Sequence, residues 1–250
     1  MSLLTAERIK LLSTRSPWWC GLLAIVLPVG FTVLLATQVN PTNAPGFEFT
    51  PAATQGTASL GRAVVMVLAA LAVTSEYRFG TIRSTFQAAP QRVAALLAKS
   101  AVVVVLTAVI GAVVGFGSWA VFRALHSGPD LDLVTAADWR SVAGEVLVFA
   151  LTGALALGVG ILVRQTAGAV AILLVYALLV EGLIGVIPKV GRDIQHWMPF
   201  FAADRFLGIR DGGDDLQNLP LGPWAYLAYF AAITVVVLGA GIFAAVRRDA

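Results

Sequence analysis

The sequence predicts an all-α integral membrane protein with six spans, and three observations carry that prediction. Of 250 residues, 58% are hydrophobic and only 12% are charged, whereas a soluble domain carries about 25% charged residues. Mean hydropathy is +0.86, and runs close to the ~20 apolar residues that cross a hydrocarbon core recur along the whole chain. Six such runs consume most of the apolar residues, leaving short connections and no room for a soluble catalytic domain.

In chain order the spans are expected near residues 18–36, 59–74, 98–120, 142–163, 166–186 and 221–246, in a single transmembrane domain covering 1–250. The first run is followed by Gln38-Val39-Asn40-Pro41 without a small-x-small cleavage pattern, and five more spans follow, so it reads as a retained span. Its Pro28 is the one central proline, placed to kink the helix. The lone cysteine, Cys20, excludes a disulfide framework or a cysteine-based metal site within one chain. Spans three to five carry glycines at Gly111-x-x-x-Gly115, Gly117, Gly153, Gly158, Gly160, Gly182 and Gly185, which suits close helix packing where lipid supplies no hydrophobic drive.

Charge sorts the two sides. The N-terminal segment, the connection between spans two and three, Arg164 and the tail carry ten basic and three acidic residues, whereas the opposite side carries six and nine. The positive-inside rule therefore places both termini in the cytoplasm, as an even number of spans requires. The six tryptophans, Trp18, Trp19, Trp119, Trp139, Trp197 and Trp224, fall at span ends or in a connection, the headgroup level that indole prefers.

Two connections exceed what joining spans requires. On the inner side, residues 75–98 read SEYRFGTIRSTFQAAPQRVAALLA, basic and helix-compatible. Gly80 and Pro90 punctuate a short helix near 81–88, and Arg78, Arg83, Arg92 and Lys99 suit either a docking surface or a lipid-headgroup patch. On the outer side, residues 187–220 hold Trp197, Pro199, Phe200 and Phe201 among charges. This stretch is too short and charged to span, and suits a pair of short helices dipping into the outer leaflet, or a surface loop anchored by its aromatics.

Glu76-x-x-x-Gly80-Thr81, then Thr85, Pro90-x-Arg92 and Lys99, resembles the cytoplasmic segment that follows the second span of ABC-2-type transporter permeases. Glu7-Arg-Ile-Lys10 with Arg15 and Trp18-Trp19 is similar to that family's N-terminal lead-in, and Trp197-Met-Pro199 to its late outer hairpin. The resemblance implies the transmembrane subunit of a type V ABC exporter: an N-terminal interfacial helix, six spans, a coupling helix between spans two and three, and a re-entrant hairpin before span six. It also implies two copies of an ABC ATPase subunit docked on Glu76, Arg78, Gly80, Thr81, Arg83, Thr85, Pro90 and Arg92, and a second permease, identical or paralogous. The N-terminal segment fits an interfacial helix less well, because Leu4 and Leu11 share a line with Arg8 and Arg15, whose side chains would have to snorkel.

The chain has no G-x-x-x-x-G-K-[ST] phosphate loop, so ATP and Mg²⁺ are expected on the partner and no cofactor on this chain. No nucleic-acid partner is expected. Arg62 and Glu181 lie inside spans two and five, about 18–25 Å from the inner boundary at about 1.5 Å per residue. Charges there are costly unless paired, hydrated or snorkelling, so the two either pair, share a vestibule near an outer gate, or reach the headgroups separately. Glu145 reads as an outer-end residue.

An exporter subunit in a bacterial-type cell membrane, moving an amphipathic drug, antibiotic or lipid-like compound, follows from the resemblance and from the lack of a dense polar site along the spans. The alternative is an immunity or sensor permease of the same architecture. An intramembrane enzyme is disfavoured, since His126 and His196 lie in outer connections and Ser118 has no histidine at matching depth. A secondary transporter would show broken helices or midplane ionisable groups more clearly.

Overall fold

A chain this apolar must satisfy its backbone hydrogen bonds within each segment, which in lipid selects helices. The computed structural model describes residues 3–39, 49–82, 91–126, 129–188, 190–209 and 220–248, and among these the fold is helical, without strands. The helices are α1 (Leu3–Ser13), α2 (Arg15–Gln38), α3 (Ala58–Arg78), α4 (Arg92–Leu125), α5 (Ala136–Val163), α6 (Thr166–Gly185), α7 (Gly191–Gln195), α8 (Pro199–Leu207) and α9 (Pro223–Arg248). Six of them, α2 to α6 and α9, are long and apolar enough to cross a membrane.

Local chemistry sets several of these ends. Thr135 and Asp138 form a reciprocal capping box that starts α5 at Ala136. The same helix stops at Arg164, held at φ 61° with its guanidinium 5.0 Å above the Tyr77 ring, so a two-residue turn returns the chain into α6. Pro199 opens α8 where its missing N–H costs nothing, and Gly208 closes it at φ 80°. α2 runs unbroken through buried Pro28.

α5 is the hub. Its most apolar window is 61% buried, against 22%, 17% and 22% for α2, α6 and α9, whose remaining faces are left to lipid or to another chain. It packs on α3, α4 and α9, with α6 and α8 completing its surroundings. Glycine permits these approaches. A Cβ on Gly111 would lie 2.6 Å from the Glu145 carbonyl oxygen, one on Gly115 2.5 Å from that of Val142, and one on Gly158 2.8 Å from Leu238 Cα. Gly117, by contrast, meets only Val29 Cγ2 at 3.5 Å. Gly115→Ala is therefore expected to destabilise the fold by about 1–3 kcal/mol through overpacking, while Gly117→Ala stays neutral. Thermal midpoints of the two variants in one detergent check this, and equal midpoints would contradict it.

Where α2, α3 and α4 meet, buried hydroxyls satisfy one another. Thr32 Oγ1 lies 2.6 Å from Thr57 Oγ1 and 3.3 Å from Ser118 Oγ, and also donates to the Pro28 carbonyl at 2.8 Å. Ser118 is thus a packing residue. Trp18, Trp19, Trp139, Trp197 and Trp224 are exposed, and Trp119 donates to the Leu131 carbonyl at 2.9 Å.

Candidate functional site

Four ionisable side chains from three helices meet at one end of the bundle. α1 turns Leu3, Leu4, Ile9 and Leu12 outward and buries Glu7, the reverse of a water-soluble amphipathic helix. Lys99 Nζ of α4 donates to Glu7 Oε2 at 2.6 Å and to Glu76 Oε1 of α3 at 2.8 Å. Lys10 Nζ pairs with Glu7 Oε1 at 2.7 Å and Glu76 Oε1 at 3.0 Å. Two cations face two anions, so the cluster is formally neutral and clamps α1 to α3 and α4. Burial works against the Glu7 carboxylate, but Lys99 and Lys10 outweigh it and hold its pKa below the ordinary value. Burial likewise opposes the Lys10 ammonium, and hydrogen bonds to Glu7 and Glu76 more than offset it, raising its pKa.

Just beyond this clamp the chain comes to the surface. Arg78, Phe79, Gly80 and Thr81 are exposed, Gly80 takes φ 71°, and the Arg78 guanidinium sits 5.5 Å above the Phe79 ring. Arg92, half-buried, opens α4. Arg83, Thr85 and Pro90 lie outside the described residues, as does most of the short helix expected near 81–88. Of the predicted partner-facing residues in view, Arg78, Gly80 and Thr81 are on the surface, whereas Glu76 is turned inward.

The second cluster surrounds α8, the longer of the two short helices before α9. α8 is buried along nearly its whole length and packs on α9 and α5. Arg62 Nη2 of α3 donates to Asp204 Oδ1 of α8 at 2.6 Å. The Arg62 side chain is 5% exposed and that of Asp204 26%, so the pair runs from the interior to a wetter edge. Glu181 of α6 accepts from the backbone N–H groups of Phe200 and Phe201 at 3.1 and 2.8 Å, placing a carboxylate on the positive end of α8. Arg62 and Glu181 thus do not bond to each other; each holds the same short helix. Glu145 is fully buried within electrostatic reach of Arg62, and neither of its carboxylate oxygens has a hydrogen-bond partner among the described residues. This corrects its placement at an outer end. A π-helical turn over Tyr176–Val180 directly precedes Glu181, and the Tyr176 hydroxyl donates to Met198 Sδ at 3.3 Å. Trp197 is exposed, its carbonyl accepting from the Tyr229 hydroxyl at 2.8 Å, while Pro199, Phe200 and Phe201 are buried.

A sequence profile described as ABC-2 family transporter protein matches residues 3–180, well over half of the chain. The chain belongs to this family. It is accordingly a multi-pass membrane permease of an ABC transporter, a transport subunit rather than a catalytic one. No curated protein sequence matches it. The matched residues of this ABC-2 permease contain the whole Glu7–Lys10–Glu76–Lys99 clamp, together with Arg62 and Glu145; Glu181 and Asp204 lie beyond them.

Sequence reasoning does not place Asp204, Glu145 or Lys10 of this permease in the two clusters. Asp204 reads as an outer-loop acid, although FFAADRFL behind Pro199 carries the apolar spacing of a buried helix. Glu145 lies nine residues into α5, about 14 Å along its axis. The Thr135-x-x-Asp138 box is the signal for that earlier start. Lys10 stands three residues from Glu7, the spacing of a helical ion pair.

Proposed function

We propose that this ABC-2 permease is the membrane-spanning subunit of an ATP-driven exporter with both termini in the cytoplasm. It works with two copies of an ABC ATPase subunit, which binds ATP and Mg²⁺, and with a second permease, identical or paralogous. Its substrate is an amphipathic drug, antibiotic or lipid-like compound taken from the cytoplasm or inner leaflet. The connection from Arg78 to Arg92 is the ATPase-docking segment, and the pair of short helices before α9 forms part of an outer gate.

One observation carries this reading: α3 bears both clusters. Glu76 lies in the clamp, and Arg62, fourteen residues earlier, holds Asp204 of α8. The two are separated by about 21 Å of one helix. A displacement of the docking segment by the ATPase moves α3, α4 and α1 together, because breaking their buried pairs is costly. α3 then delivers that displacement to α8 through a single 2.6 Å ion pair.

Purification from native membranes in mild detergent tests the proposal, since an ABC ATPase subunit should accompany the permease. Gly80 is exposed, and a Cβ added to it would meet no atom within 4 Å, yet its φ of 71° resists a β-branched side chain. Gly80→Val should add about 1–2 kcal/mol of local strain and lower the thermal midpoint of the isolated permease by only a few degrees, while ATPase capture and substrate-stimulated ATP hydrolysis are largely lost. Transport by the permease without an ATPase would overturn the proposal.

A further inference from the structure

A cavity of about 470 Å³ lies between α1, the start of α2, the end of α3 and α4, within the range of sites that hold small molecules. Its two ends differ in chemistry. One is lined by the clamp residues Glu7, Lys10, Glu76 and Lys99, and the other by Leu68, Val102 and Val103. Leu68 lies eight residues before Glu76 on α3, about 12 Å along the axis. Trp18 and Trp19, exposed just ahead of Cys20, mark the headgroup level of a bilayer. The charged end therefore lies at the depth of lipid headgroups and the apolar end at the depth of acyl chains.

The clamp also selects the kind of head. It is formally neutral, so a singly charged head would draw one member out of its pairing. Two features face a ligand: the positive charge of Lys10, which is paired with Glu7 and Glu76 but whose side chain is 40% exposed, and Glu76 Oε2, which has no hydrogen-bond partner among the described residues although Oε1 has two. A donor beside an anion complements both.

We propose that this cavity binds an amphiphile with a zwitterionic head, a primary or secondary ammonium next to a phosphate or carboxylate, with the ammonium toward Glu76, the anion toward Lys10, and one apolar chain toward Leu68 and Val103. The site belongs to this chain alone and goes beyond the exporter reading, since its occupancy needs no ATPase and no particular direction of transport.

The test uses the full chain in phosphatidylcholine nanodiscs doped with a phosphatidylethanolamine that carries a photoreactive diazirine in one chain. Matched probes with phosphatidylcholine and phosphatidylglycerol heads are run beside it. Peptides containing Leu68 or Val103 should be labelled about tenfold more by the ethanolamine probe, as one charge-assisted hydrogen bond gives; a quaternary choline has no N–H to donate. Leu71→Trp and Val102→Trp, filling the cavity from two different helices, should each abolish this labelling while labelling of the exposed Val235 and Val236 on α9 persists. Competition by excess unlabelled phosphatidylethanolamine identifies a resident bilayer lipid, and competition by N-dodecyl-β-alanine alone identifies a soluble amphiphile; either supports the shared chemistry. Equal labelling by all three probes, or labelling that survives in both tryptophan variants, overturns the proposal.

Discussion

Lys99→Met is expected to destabilise the permease by about 3–5 kcal/mol, the range for removing one partner of a buried ion pair. Its ammonium, 8% exposed, is the more buried of the two that join Glu7 of α1 to Glu76 of α3. Without it two carboxylates share Lys10, and α1 should detach first, because its docking rests on this clamp and Leu3, Leu4 and Leu12 already face outward, leaving Leu11 as the leucine packed on the core. Limited proteolysis after α1, followed by a lowered thermal midpoint in detergent, is the expected sequence. Adding Glu7→Gln and Glu76→Gln to Lys99→Met should recover much of the loss, since the buried anions are then removed as well. If the triple variant is as unstable as the single one, packing and not charge accounts for the effect. The same clamp predicts a pH window. The lowered pKa of Glu7 means that its stabilisation is complete above the unfolded value of 4.5 and is lost as pH falls through the folded value. The raised pKa of Lys10 means that its contribution is complete below 10.5 and is lost as pH rises through its folded value. Proteolytic protection of α1 should be flat between these limits and fall on both sides.

Arg62→Asp is expected to abolish transport and to cost a similar 3–5 kcal/mol, because it sets a new carboxylate against Asp204 and Glu145 in the interior. The informative variant is the double exchange. Arg62→Asp with Asp204→Arg restores a pair between α3 and α8 and should return part of the stability and of the substrate-stimulated ATP hydrolysis. Arg62→Glu with Glu181→Arg should restore neither, because it removes the carboxylate that accepts from Phe200 and Phe201 and places a cation at the positive end of α8. Rescue by the Glu181 exchange and not by the Asp204 exchange would show that the pairing changes in the working transporter.

The six long apolar helices were legible in composition because lipid imposes one simple demand, a run of apolar residues of sufficient length. Their ends were less so. α4 begins at Arg92 and ends at Leu125, beyond the expected 98–120, because basic and aromatic residues at its ends continue a helix as readily as they anchor one at an interface. The two short helices at 191–207 follow from Pro199, Gly208 and an aromatic spacing that suits burial. The inward face of α1 was not legible. Leucines and arginines share a line on its surface, so no stripe within the segment decides the face. Lys99, 92 residues from Glu7, decides it by offering the cation that a buried carboxylate requires, and Glu76, 69 residues away, balances the charge of the two lysines. For the same reason the Arg62–Asp204 pair escaped detection: its members are 142 residues apart, and only the folded path of α8 makes them neighbours.

The clamp also changes the electric character of the surface around it. Glu7 of α1 and Glu76 of α3 are neutralised internally, each by Lys10 and Lys99. Among the described residues of α1, the start of α2, the end of α3 and the start of α4, Arg8, Arg15 and Arg78 are exposed and Arg92 is half-buried, with no exposed carboxylate among them, a nearly single-signed field in place of a mixed one. Fields of that kind extend about 8 Å at physiological ionic strength and contract as salt rises. Whatever approaches this face, an ATPase subunit or anionic lipid, should be drawn at a rate that falls steeply with added salt, while the clamp beneath, shielded from solvent, holds its grip.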